Sequence, residues 1–340
     1  MKKIVFLFAL LMLTSIVGLS GGSAQPVAPA GSLLDALPDG TGAIVIDFQK
    51  VAGSSLWSTL IAQEKIKVAV DKVQSEMTDL GLKLSDIHTI AVGFPAAGVS
   101  NPTVALAGNF DQNQLLARMR TNAKLKLTSE KYKDFALYRV REVPVVTPSK
   151  RTPATKGAGV REAPDDTSGT WFVFYDSGTV VAGDLTSVRG SVDVKSGGRP
   201  SIAQNAKLAD ALSQDSTAAV RFAMTITPAF TGALPTKDLP LPEFSSISLV
   251  FGTIDFSSGV DLNATLRSDN AEHAKSIADK LNALLSMGKG ILGSMSDPKF
   301  VAISEALKTV NVTSAEADVK ITGNVPMDLL NNLLSSKKGQ

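Results

Sequence analysis

The middle of the chain resembles its beginning, and this similarity limits the available folds more than any other feature. Residues 179–222 read in order as a strand, a helix, a Gly/Pro turn, a second helix and a strand. Within that stretch Asp210-Ala-Leu212 precedes the apolar run Ala218–Phe222, just as Asp35-Ala-Leu37 precedes Ala43–Ile46. The stretch therefore predicts a junction between two copies of one α+β module.

Further pairs of segments favour a duplication. Each half contains a strand ending in glycine, then a second strand and a helix, and each half ends in a strand that runs into a helix. The paired segments are Ile90–Gly93 with Leu249–Gly252, Val104–Leu106 with Val260–Leu262, and Val181–Leu185 with Val319–Val325. This order of elements is that of the split βαβ layout. The predicted fold is α+β, with two tandem ferredoxin-like (split βαβ) modules, mostly antiparallel sheets and helices packed on one face.

The length of 340 residues suffices for two such modules, each with its own core. We assign residues 33–200 to the first module, 201–334 to the second and 335–340 to a polar tail. Residues 144–169 are rich in Pro, Thr, Lys, Gly and Ser, so they are predicted to form a disordered loop inside the first module.

The N-terminus has the three-part layout of a secretory signal peptide, residues 1–24. Two lysines precede the apolar run Ile4–Leu19, and small residues follow it. The run is shorter than the roughly 20 residues of a spanning helix. We expect cleavage between Ala24 and Gln25, a flexible lead-in over 25–32, and a soluble periplasmic or secreted protein with no membrane span after signal removal. An uncleaved anchor is the alternative.

Charge and cysteine content exclude several classes of protein. The chain has 34 basic and 32 acidic residues, and removal of Lys2 and Lys3 leaves 34 − 2 = 32 of each. A neutral mature chain gives no reason to expect a nucleic-acid partner. The absence of cysteine excludes disulfides, thiolate metal sites and a cysteine nucleophile, and fits a protein of the bacterial envelope.

Motifs for catalysis or cofactors are absent from the sequence in their required context. His88 and His273 are the two histidines, and neither has a carboxylate at metal-ligand spacing. The Gly288-x-Gly290-x-x-Gly293 pattern follows a helix instead of a strand, so Gly288 is predicted to end that helix and the pattern is not a dinucleotide site. The adjacent carboxylates Asp165-Asp166 lie in the predicted loop. We therefore predict no catalytic, cofactor-binding or metal-binding residue and no cofactor.

Four stretches resemble a known group of proteins. They are Leu37–Asp39 before the first strand, Leu80–Ile87 after a long helix, Val181–Leu185 before a helix, and Pro200–Leu208 before the second copy. In these stretches the chain resembles exported bacterial proteins of an uncharacterised domain-of-unknown-function family with tandem α+β modules. The resemblance implies this architecture for most of the mature chain and supplies no catalytic residues. The second copy departs from it, since the Pro-rich residues 227–242 replace the long helix.

Three functions remain open at this stage. The first is a non-enzymatic binding or scaffold module of the cell envelope that binds a partner, peptide or surface through its sheet face or loops, and an envelope protein is one such partner. The second is a carrier of apolar ligands or lipid, and the third is a hydrolase with an unrecognised site. An apolar cavity favours the carrier. Perturbed carboxylates that converge on a histidine in a cleft favour the enzyme.

Overall fold

Runs of β-branched and aromatic residues between turns form the framework of the protein. The structure is a computed structural model, which describes residues 33–96, 101–143, 169–227 and 245–335. Within these ranges the strands are β1 (Gly42–Asp47), β2 (Ile87–Phe94), β3 (Thr103–Gly108), β4 (Leu125–Tyr132), β5 (Phe135–Glu142), β6 (Thr170–Asp176), β7 (Thr179–Gly183), β8 (Val220–Thr225), β9 (Ile247–Asp255), β10 (Gly259–Ser268), β11 (Asn311–Ala315) and β12 (Asp318–Pro326).

All these strands belong to one antiparallel sheet, in the order β11-β12-β10-β9-β8-β1-β2-β3-β7-β6-β5-β4. The two halves of the chain meet where β1 pairs with β8, with Ile44 opposite Phe222. On its other side β1 pairs antiparallel with β2, where Ile44 lies opposite Val92. The α+β class is confirmed, but the prediction of two tandem ferredoxin-like (split βαβ) modules is wrong. In a split βαβ layout the helix joins two parallel strands that have a third strand between them, whereas here β1 and β2 are adjacent and antiparallel.

Helices fill most of the connections between strands. Several begin at a polar cap; the side chains of Ser54, Asp111 and Asp184 each accept a hydrogen bond from the backbone N–H three residues later. The helices of the described residues are α1 (Phe48–Ala52), α2 (Ser55–Ile61), α3 (Glu64–Asp79), α4 (Gln112–Thr121), α5 (Leu185–Lys195), α6 (Ala206–Ser213), α7 (Ala271–Gly293), α8 (Pro298–Lys308) and α9 (Met327–Ser335).

The central strands are covered by helices on both faces. Ala91 of β2 belongs to one buried cluster with α5 and α6, while its neighbours Ile90 and Val92 belong to another with α1, α2 and α3. Successive residues of a strand point to opposite faces, so we call the Ala91 side face A and the Ile90 side face B. The predicted placement of helices on one face is therefore wrong. The reason is visible in β2, which is apolar along almost its whole length, as in strands buried on both sides.

The face A cluster joins the two halves of the chain. It includes Val45 and Val181 from the first half and Leu208 and Phe251 from the second. The predicted module boundary at residue 200 stays a prediction, but both the sheet and this cluster extend across it.

Ion pairs attach the β4–β5 hairpin to α5. The Tyr132 hydroxyl donates to Asp193 Oδ1 at 3.0 Å, and Lys133 Nζ lies 2.5 Å from the same oxygen. Arg189 Nη2 lies 2.8 Å from Glu130 Oε1, with its guanidinium 5.0 Å from the centre of the Tyr132 ring. The hydrogen bond from Lys133 holds the pKa of Asp193 below its ordinary value of 3.8.

This pair predicts a dependence of stability on acid pH. A carboxyl group whose pKa is depressed by folding contributes stability above its ordinary pKa, and the contribution is lost as the pH falls through the folded value. Replacing Asp193 with asparagine should therefore make the unfolding midpoint less sensitive to pH below about 3.8 than it is in the wild type. Thermal unfolding of both proteins between pH 2 and 6 checks this. Equal slopes for the two proteins would contradict the role of the ion pair.

Candidate functional site

The two histidines lie apart and in different surroundings. His88 is half-buried near the start of β2, and its Nε2 lies 3.4 Å from Asn109 Nδ2. His273 lies in the first turn of α7, where Nδ1 is 2.7 Å from Asp269 Oδ1. The hydrogen bond with His273 lowers the pKa of Asp269, and the side chains of Asp269 and His273 are both exposed.

The glycine pattern of α7 lies inside the helix. The prediction that Gly288 ends it is wrong, because the helix continues to Gly293. A Cβ atom on Gly288 would lie 3.7 Å from Leu307 Cδ1, and one on Gly293 would lie 3.8 Å from Ser304 Oγ. Both neighbours belong to α8, so these glycines face α8 at short range.

Several sequence predictions concern residues that lie outside the described ranges. These are the signal peptide with its cleavage site at Ala24 and Gln25, residues 144–168 of the predicted loop, and Asp165-Asp166 within it. In the described part of the chain, no group of three or more histidine and carboxylate side chains is arranged to hold a metal ion. None of the helices described there is long and apolar enough to cross a membrane.

The buried residues of α7 all lie in its first half. They are Ala274, Ile277 and Ala278, all in the first eight positions of the 23-residue helix. At 1.5 Å per residue the whole helix is about 35 Å long. The remaining length packs against α8, whose Ala302 and Ser304 are buried. The two helices therefore form a hairpin in which α8 also contacts α9 and β12, while the side of α7 that does not face α8 carries exposed residues.

Large apolar side chains occupy this exposed side of the hairpin. Leu284, Met287 and Ile291 are 38%, 57% and 51% exposed, and Met295 just beyond the helix is 38% exposed. Their spacing of three, four and four places them on one face of a helix. We call these four residues the α7 stripe. Val301 of α8 adds a fifth exposed apolar side chain, at 44%.

The exposed apolar residues of the hairpin are clustered, whereas the other exposed apolar residues are isolated. Seven large apolar residues are strongly exposed within the described residues, and five of them belong to this hairpin. The other two, Val68 of α3 and Val143 after β5, lie on separate elements. Residues 281–296 contain a single charged residue, Lys289. A contiguous apolar surface with so little charge marks an interaction site in soluble proteins.

A second apolar feature lies on face B at the centre of the sheet. Phe222 and Met224 of β8, Ile254 of β9 and Leu262 of β10 are all half-buried, and none belongs to the four buried clusters found in the described part of the chain. Ile254 lies directly opposite Leu262, and Phe222 lies opposite Gly252, which has no side chain. The large apolar side chains of these central strands are incompletely covered and lie beside a glycine. Together they form an apolar surface, which we call the floor.

Comparisons with known proteins found similarity only at the level of the fold. No protein family and no curated protein matches the sequence. Crystal form III of TP0453 is similar with a TM-score of 0.47 and 12% identity over 92% of this chain and 99% of that chain. Crystal form I has a TM-score of 0.45 at 10% identity, over 92% and 98% of the two chains. Similarity of this size supports no conclusion about the function of this chain.

The sequence contains the signal for the α7 stripe, but the predicted helix end concealed it. The apolar spacing continues through the glycines from Leu284 to Ile291. A helix end at Gly288 would place the residues after it in a turn. In the structure the helix continues to Gly293 and includes Ile291, and Met295 lies just beyond it.

Proposed function

We propose that this chain is an exported, non-enzymatic binding module of the cell envelope that docks a partner protein on the α7 stripe. The single observation that supports this is the cluster of exposed apolar residues on the hairpin of α7 and α8. Residues at positions i, i+3 and i+7 are the anchors by which an amphipathic helix enters an apolar groove of another protein. Leu284, Met287 and Ile291 have this spacing. The partner is therefore expected to present such a groove.

A specific observation favours the carrier as a second candidate. The floor formed by Phe222, Met224, Ile254 and Leu262 is apolar and incompletely covered. Binding of an acyl chain there would remove these side chains from water, at about 25 cal/mol per Å² of buried apolar area. A carrier would use this apolar surface on face B, whereas a docking module would use the α7 stripe.

Site-specific photo-crosslinking in the native envelope tests the docking function. A photoreactive residue in place of Met287 should give one discrete protein adduct, and the same residue in place of Val68 should give none. Val68 is the matched control because it is 60% exposed on α3, away from the hairpin. Ile291→Glu in the same chain should reduce the adduct at least tenfold, since a charge in an apolar contact is strongly unfavourable.

The outcomes separate the candidates. Equal crosslinking at positions 287 and 68 would overturn the docking function. A lipid found by native mass spectrometry of the purified protein, and lost in Leu262→Trp but retained in Met287→Glu, would favour the carrier instead.

A further inference from the structure

Among the described residues, the strand β4 forms one edge of the sheet. It is the last strand in the sheet order and pairs there with β5 alone. It has eight residues with an unbroken register from Leu125 opposite Glu142 to Tyr132 opposite Phe135. The opposite edge is different, because α7 lies along β11 and the side-chain amide of Asn282 donates to Val312 O at 3.1 Å. Long, regular edge strands are sites where another strand can pair.

The hairpin geometry shows which backbone groups point outward. Val143 N donates to Lys124 O at 2.8 Å, so the backbone groups of Lys124 point toward β5. Orientation alternates along an antiparallel strand. The groups of Leu127, Ser129 and Lys131 therefore point away from β5, and their N–H groups have no hydrogen-bond partner among the described residues. These are the donors that an added strand would use.

Charge near this edge is unbalanced. Residues 124–142 contain six basic and three acidic residues, a net of 6 − 3 = +3, in a chain that is neutral beyond its first three residues. Of these basic residues, Lys124 is paired with Asp79 and Lys133 with Asp193. Lys126 and Lys131 of β4 have no ion pair among the described residues. The one acid of β4, Glu130, is already paired with Arg189, so the edge attracts an acidic partner.

The two faces of β4 differ in polarity. Lys126 and Thr128 are exposed on face A, where Leu137 of β5 is buried. Leu125 and Leu127 are half-buried on face B, next to the cluster that contains Val140. An incoming strand would place alternate residues beside lysine and beside leucine.

From this geometry we propose that β4 is a docking edge for an extended segment of a partner protein in which acidic and apolar residues alternate. The segment adds a thirteenth strand through the outward groups of Leu127, Ser129 and Lys131, with its carboxylates beside Lys126. Main-chain hydrogen bonds supply affinity in this mode of recognition, and the alternating side chains supply specificity. The lysines that admit an acidic strand also exclude apolar strands and copies of β4 itself. This surface is separate from the α7 stripe.

A designed peptide tests the proposal on the full chain. A labelled eight-residue peptide of alternating valine and glutamate should bind in a fluorescence anisotropy titration, and its affinity should fall with salt. A peptide of alternating valine and lysine should bind at least tenfold more weakly. Ser129→Pro removes one outward donor without touching the β4–β5 hydrogen bonds and should reduce binding at least tenfold. Ser129→Ala, which keeps the N–H, and Met287→Glu, on the other surface, should bind like the wild type.

Amide hydrogen exchange of the wild-type protein is a second test, which applies even if the Ser129→Pro protein does not fold. In the wild-type protein the peptide should slow exchange at Leu127, Ser129 and Lys131 and leave Leu284–Ile291 unchanged. Three outcomes would each overturn the docking edge. They are a failure of the peptide to slow exchange in β4, equal binding of the acidic and basic peptides, and binding with wild-type affinity by a folded Ser129→Pro protein. Failure here with success at position 287 would leave the proposed function intact.

Discussion

Replacing Leu208 with alanine should lower the free energy of unfolding of the whole chain by about 2–5 kcal/mol. Leu208 lies on α6 in the second half, is fully buried, and belongs to the face A cluster that includes Val45 and Val181 from the first half. The substitution removes buried apolar atoms and leaves a cavity that the packed neighbours fill only in part. Because the cluster crosses residue 200, the loss should be felt in both halves.

Tryptophan fluorescence measures this coupling directly. Both tryptophans, Trp57 and Trp171, lie in the first half, so a shift of their denaturation midpoint caused by a change at Leu208 reports transmission across the junction. We expect one cooperative transition, shifted to lower denaturant concentration. Val68→Ala on the exposed surface should change stability by less than about 0.5 kcal/mol. An unshifted tryptophan transition in Leu208→Ala would show instead that the two halves unfold independently.

Adding one methyl group to Gly252 should also be strongly destabilising, by about 1–3 kcal/mol or more. Gly252 lies within β9, and a Cβ atom there would be 2.2 Å from the backbone oxygen of Asn263 on β10. The contact is with backbone, which cannot rotate away as a flexible side chain does. The strand pair must therefore separate locally, at the cost of hydrogen bonds in the middle of the sheet.

The same substitution at Gly290 is the matched control. Gly290 lies inside α7, and its Cβ would have no neighbour within 4 Å. Alanine is favoured over glycine in a helix by about 0.5–1 kcal/mol. Chemical denaturation should thus move in opposite directions for Gly252→Ala and Gly290→Ala. A neutral result at Gly252 would mean that β9 and β10 do not approach as closely as described.

The two glycines of the predicted repeat illustrate how far sequence comparison reaches. The sequence comparison pairs Gly93 with Gly252 because each ends an apolar run before a second strand. In the structure Gly93 lies in β2, next to β1, and Gly252 lies in β9, next to β8. Their surroundings differ, however. A Cβ on Gly93 would meet the side chains of Ile202 and Leu37, whereas one on Gly252 would meet backbone. Local pattern identified the strands, but the atoms beside each glycine come from distant parts of the chain.

The candidate site was predictable only in part. The apolar spacing of Leu284, Met287 and Ile291 is readable in the sequence, and so is the scarcity of charge around it. Whether those side chains face the core or the solvent depends on which elements lie against α7. These elements include α8 and the strands β11 and β12, which follow α7 in the chain.

The sequence by itself determined the α+β class, the absence of cysteine chemistry and the strand and helix segments near the junction, because these depend on residue type and on periodicity over a few residues. The tertiary structure alone decided that the strands form one sheet with helices on both faces. The apolar residues of β2 indicate that both faces of its sheet are covered, but they do not indicate by which helices. The pairing of β1 with β8 joins the two halves of the chain in one sheet and so decides which helices lie on each face. The edge position of β4 and the exposed side of α7 also depend on this arrangement, because the exposure of a residue is set by its neighbours in the fold and not by its residue type.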